Sequence, residues 1–323
     1  MDRPNILYIH SHDTGRYIQP YGHAIPTPNL QRLAEDGVLF RQCFCVGPTC
    51  SQSRSGLLTG QYPHQNGMLG LAHRGFGLRN YRTHIIHTLR EAGYASAISG
   101  HQHIIPHDRT AEIGYDEIIS EDLEHPEEAA AAWLHSPPTQ PFFLSVGFTE
   151  CHRGFHPPGP AEDARYVRVP DPLPDDPEIR KHMAGFQASA RVWDAKVGRV
   201  LDALAESGLE ENTLVVCTTD HGIPFPRMKC TLTDDGIGVL LILRGPQGFS
   251  GGKVIEAMVS HLDLYPTLCD LAGADKPDWL EGVSLLPLVA GDAETVREEV
   301  HAEINYHAAY EPTRCVRTER YKY

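Results

Sequence analysis

Short apolar, β-branched runs alternate along this chain with stretches of helical period, and several of the runs stop abruptly at polar clusters. Residues 5–9 form the first run and end at His10-Ser11-His12-Asp13. Residues 141–148 (PFFLSVGF) run into Glu150-Cys151-His152, and residues 213–219 (TLVVCTT) into Asp220-His221-Gly222. Uninterrupted apolar runs of this length predict strands buried on both faces. Residues 94–99, leading into Gly100-His101-Gln102-His103, and residues 238–244 read as further strands, with 38–45 an extended return. Residues 28–37, 51–60, 84–92, 126–134, 179–207 and 260–272 read as helices. The longest has Phe186, Ala190, Trp193, Val197, Val200, Leu201 and Leu204 among its apolar positions. Strands alternating with helices predict an α/β fold whose mostly parallel sheet is covered on both faces.

Two stretches break this rhythm. Residues 157–182 are rich in Pro and Asp and are expected to be a surface excursion rather than a linker. Residues 314–323 (RCVRTERYKY) read as a strand turning toward a hairpin partner. The organisation expected is therefore one catalytic domain over residues 1–310, with 311–323 the start of an incomplete C-terminal strand or subdomain.

Composition narrows the function classes. The 323 residues carry 28 Lys+Arg against 42 Asp+Glu, a net charge of -14. This balance argues against nucleic acid as a partner, which needs a basic face to displace counterions. It leaves room for an anionic small molecule or oligosaccharide, because a few cations in one cleft dominate the local field. No run approaches the roughly 18 apolar residues of a membrane span, and the opening MDRPNILYIHSHD enters a strand at once, which reads as cytoplasmic. The eight cysteines form no CxxC pair, so a structural zinc knuckle is not expected.

In open α/β sheets the carboxyl ends of parallel strands share an edge, so the polar clusters that end these runs should converge there. Asp220 and His221 are adjacent at one strand end, and Asp13 with His12 could complete two carboxylates and two imidazoles. Such mixed ligation suits a divalent cation. By itself an Asp-His pair is more readily an exposed turn. His10, two residues before His12, is expected to pack at the strand end rather than to ligate. Cys50 opens a helical stretch, where unpaired N–H groups and the positive dipole end favour anions, and Arg54 one turn on can reach back to it.

The segment PTCSQSRSGLLTGQYPHQNGM (residues 48–68) resembles the type I sulfatase signature, in which Cys-x-Pro-x-Arg precedes a Leu-Leu-Thr-Gly helix. Cys50, Ser53, Arg54 and Leu57-Leu58-Thr59-Gly60 carry the match, and HQNGM (64–68) and GIPFP (222–226) are most similar to the N-sulfoglucosamine sulfohydrolase branch. The resemblance implies an alkaline-phosphatase-like α/β/α sandwich. It implies hydrolysis of sulfate esters or N-sulfamates of a small sulfated sugar, heparan-type glucosamine favoured. It implies a maturing enzyme that oxidises Cys50 to formylglycine. Asp13, Asp220 and His221 match metal ligands, with His12 a fourth; calcium is the family expectation, and two imidazoles shift preference toward manganese or zinc. Lys229 matches the cation that contacts the sulfate, His152 the acid that protonates the leaving group, and His103 the histidine that helps expel sulfate. Residues near His73 and Arg74 are expected to help select the substrate.

Three positions depart from the pattern. His12 replaces the first Asp of an Asp-Asp pair, His101 replaces a lysine whose charge a protonated imidazole could restore, and Gln52 replaces the signature proline. The competing readings are a phosphodiester or phosphonate ester hydrolase on the same scaffold, and an inactive anion-binding homologue in which Cys50 is not matured.

Overall fold

A computed structural model describes residues 3–323. Its strands are β1 (Asn5–His10), β2 (Val38–Phe44), β3 (Ala95–Gly100), β4 (Glu117–Ser120), β5 (Phe142–Gly147), β6 (Thr213–Thr218), β7 (Gly238–Val239), β8 (Leu241–Arg244), β9 (Lys253–Ser260), β10 (Glu299–Tyr306) and β11 (Tyr310–Thr318). Nine of them form one sheet in the order β4-β3-β5-β1-β6-β8-β2-β7, with β9 also paired to β2. The segment from β4 to β6 is wholly parallel, while β7 and β8 run against their neighbours. The mostly parallel sheet read from the apolar runs is thus present.

The two-residue period of the strands divides the core. Ile6, Tyr8, Phe143, Leu214 and Val216 point to one face, onto the helices Cys50–Thr59, Ile85–Glu91 and Leu264–Ala272. Leu7, Ile9, Leu144, Val146, Val215 and Cys217 point to the other, onto Trp193, Val197, Val200, Leu201 and Leu204 of the long helix Pro177–Glu206. That helix starts where Asp176 accepts bonds from the N–H groups of Glu178 and Ile179, with Pro177 in its first turn.

The Pro- and Asp-rich excursion buries more than its composition suggests. Val167, Val169 and Leu173 join Met183, Phe186, Phe225 and Met228 in a third apolar cluster over the first half of the long helix. Three strands escape the apolar-run criterion. β4 is short, and β9 begins with exposed residues and turns buried only at Met258. β10 alternates exposed and buried positions over its first four residues, carries the polar Glu303 and Asn305 in its buried half, and pairs antiparallel with β11, so the hairpin partner of the last strand lies upstream of it. The stretch read as one helix from residue 260 starts with a single turn, His261–Asp263, before the helix proper.

Candidate active site

The register Ile9↔Val146, His10↔Gly147 and His10↔Thr218 brings the carboxyl ends of β1, β5 and β6 level. β3 ends beside them, with Gly100 opposite Gly147. The crossing is tight: a Cβ on Gly147 would lie 1.9 Å from the His101 carbonyl oxygen, so only glycine fits. Gly222 is equally constrained, 1.8 Å from the Asp235 carbonyl oxygen, which fixes the turn after His221.

Asp13 and His103 both hold left-handed backbone conformations (φ 57° and 62°). Such strain in residues with a Cβ is sustained only where the surroundings dictate it, and it clusters at functional sites. For Asp13 those surroundings include the His12 N–H donating to Glu150 O (2.7 Å) and the Asp13 N–H donating to Asp220 Oδ1 (2.8 Å).

Cys50 is the first residue of its helix and is buried. Its sulfur lies 3.0 Å from His12 Nε2 and 3.5 Å from His221 Nε2. His221 Nε2 is 3.1 Å from Asp13 Oδ1, and His12 Nε2 is 3.3 Å from Asp220 Oδ2. One donor atom from each of His12, Asp13, Cys50, Asp220 and His221 lies within 4.8 Å of all the others. One ion with ligand distances of about 2.0–2.3 Å spans such a cluster, so these residues could hold a divalent cation.

The cations are paired with the acids. Lys229 Nζ donates to both oxygens of Asp13 (2.7 and 2.9 Å). Arg54 donates to Asp220 Oδ2 (3.0 Å), Ser11 O (2.8 Å) and His10 Nδ1 (2.6 Å). The guanidinium is thus committed to the carboxylate and the end of β1. Burial would raise the Asp220 carboxyl, but His221 and Arg54 outweigh it and hold it well below the usual carboxylate range. Burial would likewise lower His221, yet Asp220 and Asp13 raise it. Lys229 is raised too, its burial outweighed by Cys50 and Asp13.

The other imidazoles behave oppositely. Burial, followed by Arg54, pushes His12 and His101 well below the ordinary histidine range, and His103 down to about 4. Both causes work against a protonated His101 standing in for the lysine. Its ring stacks on His12 at 5.0 Å between centroids, and His152 lies 4.6 Å from His12 on another side. His152 is 44% exposed with Nε2 3.9 Å from Asp13 Oδ2, which puts it between the cluster and solvent. All ten residues singled out from the sequence meet at this one sheet edge.

Around these ten residues lie others that position them, and two of them, Ser51 and His307, carried no signal in the sequence. His10, expected to pack at the strand end, meets Arg54 with one nitrogen and faces Ser145 Oγ (3.2 Å) with the other. Ser51 ties the first turn of the Cys50 helix to His103 O (2.6 Å) and to the Ala72 N–H (3.0 Å). His73 Nδ1 lies 3.0 Å from His103 Nε2, and Arg74 donates to His307 O (2.9 Å). His307, on the β10–β11 turn, is lowered to about 4 by burial and by Lys229, His221 and Arg74, so the hairpin reaches the site. Gln52 donates to the carbonyl oxygens of Leu69 and Tyr306, the latter at 3.3 Å. The HQNGM stretch has a structural role: Asn66 bonds Ser55 and Thr59 of the Cys50 helix, and His64 bonds Glu303.

Residues 4–274 match the sulfatase family, and residues 227–323 match the family described as N-sulphoglucosamine sulphohydrolase, C-terminal. The human N-sulphoglucosamine sulphohydrolase is 30% identical over 348 residues, which cover 94% of this chain and 69% of that protein. An ulvan-active sulfatase of Formosa agariphila is 26% identical over 377 residues, covering 100% of this chain but 60% of its own length. The chain thus spans roughly two thirds of these relatives. A solved structure bound to its substrate D-glucosamine-2-N,6-O-disulfate shares the fold at a TM-score of 0.80, with 21% identity over 99% of this chain and 88% of that one. The chain belongs to the sulfatase family.

Proposed function

We propose that this chain hydrolyses sulfate from a small sulfated sugar, with N- or O-sulfated glucosamine of the heparan type the favoured substrate. The observation that carries the reading is the buried Cys50 at a helix N-terminus, within bonding distance of two imidazoles and flanked by two carboxylates, in a chain 30% identical to N-sulphoglucosamine sulphohydrolase.

Position 50 is the nucleophile position. When matured, formylglycine there supplies a hydrated aldehyde, which is the oxygen nucleophile the thiol lacks. Asp13, Asp220 and His221, with His12, are the residues that would hold a divalent cation, which supplies charge stabilisation for sulfuryl oxygens. Two carboxylates and two imidazoles suit manganese or zinc better than calcium, which takes about six to eight oxygens. Lys229, already at Asp13, adds a fixed positive charge where the anionic substrate enters. Arg54 holds Asp220 ionised and oriented. His152, partly exposed at the mouth, is placed to protonate the departing sugar oxygen or nitrogen. His103, kept neutral by burial, is placed to accept the proton that accompanies sulfate release.

The test is turnover by protein coexpressed with a formylglycine-generating enzyme. Sulfate release from N-sulfoglucosamine or aryl sulfate, abolished in Cys50→Ala, is the expected result. Hydrolysis confined to phosphodiesters or phosphonate esters would replace this reading with that of a phospho-ester hydrolase.

A further inference from the structure

Beside the carboxylate-rich cluster lies a second group of donors that contains no acid. His12, His101 and His103 each offer a ring nitrogen, and these three atoms lie within 4.8 Å of one another. The rings form a triangle with centroid separations of 5.0, 5.2 and 5.7 Å. His101 Nε2 and His103 Nδ1 are out of contact with solvent and have no hydrogen-bond partner. A buried polar atom without a partner costs about 1–3 kcal/mol, so two such nitrogens in one triangle point to a ligand they share. His103 is aimed there by its left-handed backbone. Its other nitrogen, Nε2, is held at 3.0 Å by His73 Nδ1, the two rings stacked at 5.2 Å. A ligating imidazole ordinarily has a hydrogen-bond partner on its far nitrogen that fixes tautomer and orientation.

We propose that His12, His101 and His103, supported by His73, form a second metal site for one zinc-class transition-metal ion. Three imidazoles with an open fourth position are a zinc arrangement. The absence of any oxygen donor from the triad excludes calcium and magnesium as its natural occupants. Two of the three histidines, His12 and His101, are positions where the chain departs from the sulfatase signature. His12 also faces Asp220 and Cys50, so the two centres share a residue and their occupancies are linked. An ion in the triad takes the imidazole nitrogens that proton transfer by His103 needs. Zinc there is therefore expected to shut the pocket off, a consequence that rests on the function proposed above, whereas the site itself does not.

The experiment is titration of the chelator-stripped full-length chain with Zn2+, followed by 15N-detected resonances of the histidine rings. The expected result is that His101 and His103 ring nitrogens shift together and saturate at a stoichiometric equivalent, while Ca2+ leaves them unmoved. His73→Ala should weaken zinc binding at the triad about 10- to 100-fold. His101→Ala should remove one class of zinc site from a calorimetric titration. Zinc that moves only the His12 and His221 resonances at saturation, with His101 and His103 unchanged, overturns the proposal. If His101→Ala does not fold, the wild-type spectra decide the matter alone.

Discussion

Gln52 stands where the sulfatase signature has proline, and Gln52→Pro should move two properties in opposite directions. The maturing enzyme handles this segment in extended form before folding, and proline would hold Ser51 extended and lower the ordering cost. Conversion of Cys50 should therefore rise. In the folded chain, position 52 lies in the first turn of its helix, ahead of Ser53, whose N–H bonds Thr49 O (2.9 Å). Proline there breaks no intrahelical bond, although it disfavours the helical conformation that Ser51 adopts in the folded chain. What it removes is the side-chain amide that donates to Leu69 O and Tyr306 O. An orphaned buried acceptor costs about 1–3 kcal/mol. Tyr306 is half-buried and regains some hydration, and Gln52 Oε1, itself without a partner, is lost at no cost. The net loss is about 2 kcal/mol, a melting temperature lower by roughly 3 °C for a domain of this size. Peptide mass spectrometry across Cys50 and thermal unfolding read the two effects, and Gln52→Ala separates them, since it should lose the stability without gaining conversion. Equal conversion in all three proteins would refute the preorganisation argument. Unchanged melting in both variants would refute the role given to the Leu69 and Tyr306 bonds.

Asp220→Asn should abolish stoichiometric metal, checked by elemental analysis. It should also cost about 3–5 kcal/mol in denaturant unfolding, because the buried Arg54 loses its carboxylate. Lys229→Met should lower kcat on a sulfated substrate roughly 10²–10³-fold while the chain stays folded, as removal of a transition-state cation does; turnover within threefold of wild type would remove Lys229 from the pocket chemistry. His84 caps the helix Ile85–Glu91 by accepting the Ile86 N–H on Nδ1, and burial lowers it to about 3. A base depressed in the folded state is protonated more readily when unfolded. Its stabilisation is thus complete above about pH 6.5 and is lost as pH falls toward 3. Between pH 7 and 5 the loss is about 2 kcal/mol. His84→Asn keeps a cap that does not titrate, and its unfolding free energy should fall less than the wild type's by that amount over the same interval.

The sequence by itself determined the strands that matter most. β1, β5 and β6 are buried on both faces, so their residues are predominantly apolar and their ends are marked by the polar clusters that follow. It determined which residue types would gather, because parallel strands must end at a common edge. It also determined the family, through a segment whose match depends on side-chain identity rather than contacts. β4, β9 and β10 were not legible, since a strand exposed on one side or at an edge mixes charged and apolar residues and loses the apolar-run signature. Only the tertiary structure decided how the gathered residues divide their work. Arg54 holds Asp220 and His10, Lys229 holds Asp13, and burial followed by Arg54 pushes His101 below the ordinary histidine range. It also brought His73 onto His103 and the hairpin turn at His307 to the same edge. A charge state and a ring orientation are properties of the groups that surround a side chain, and in this fold those groups come from segments far apart in the chain.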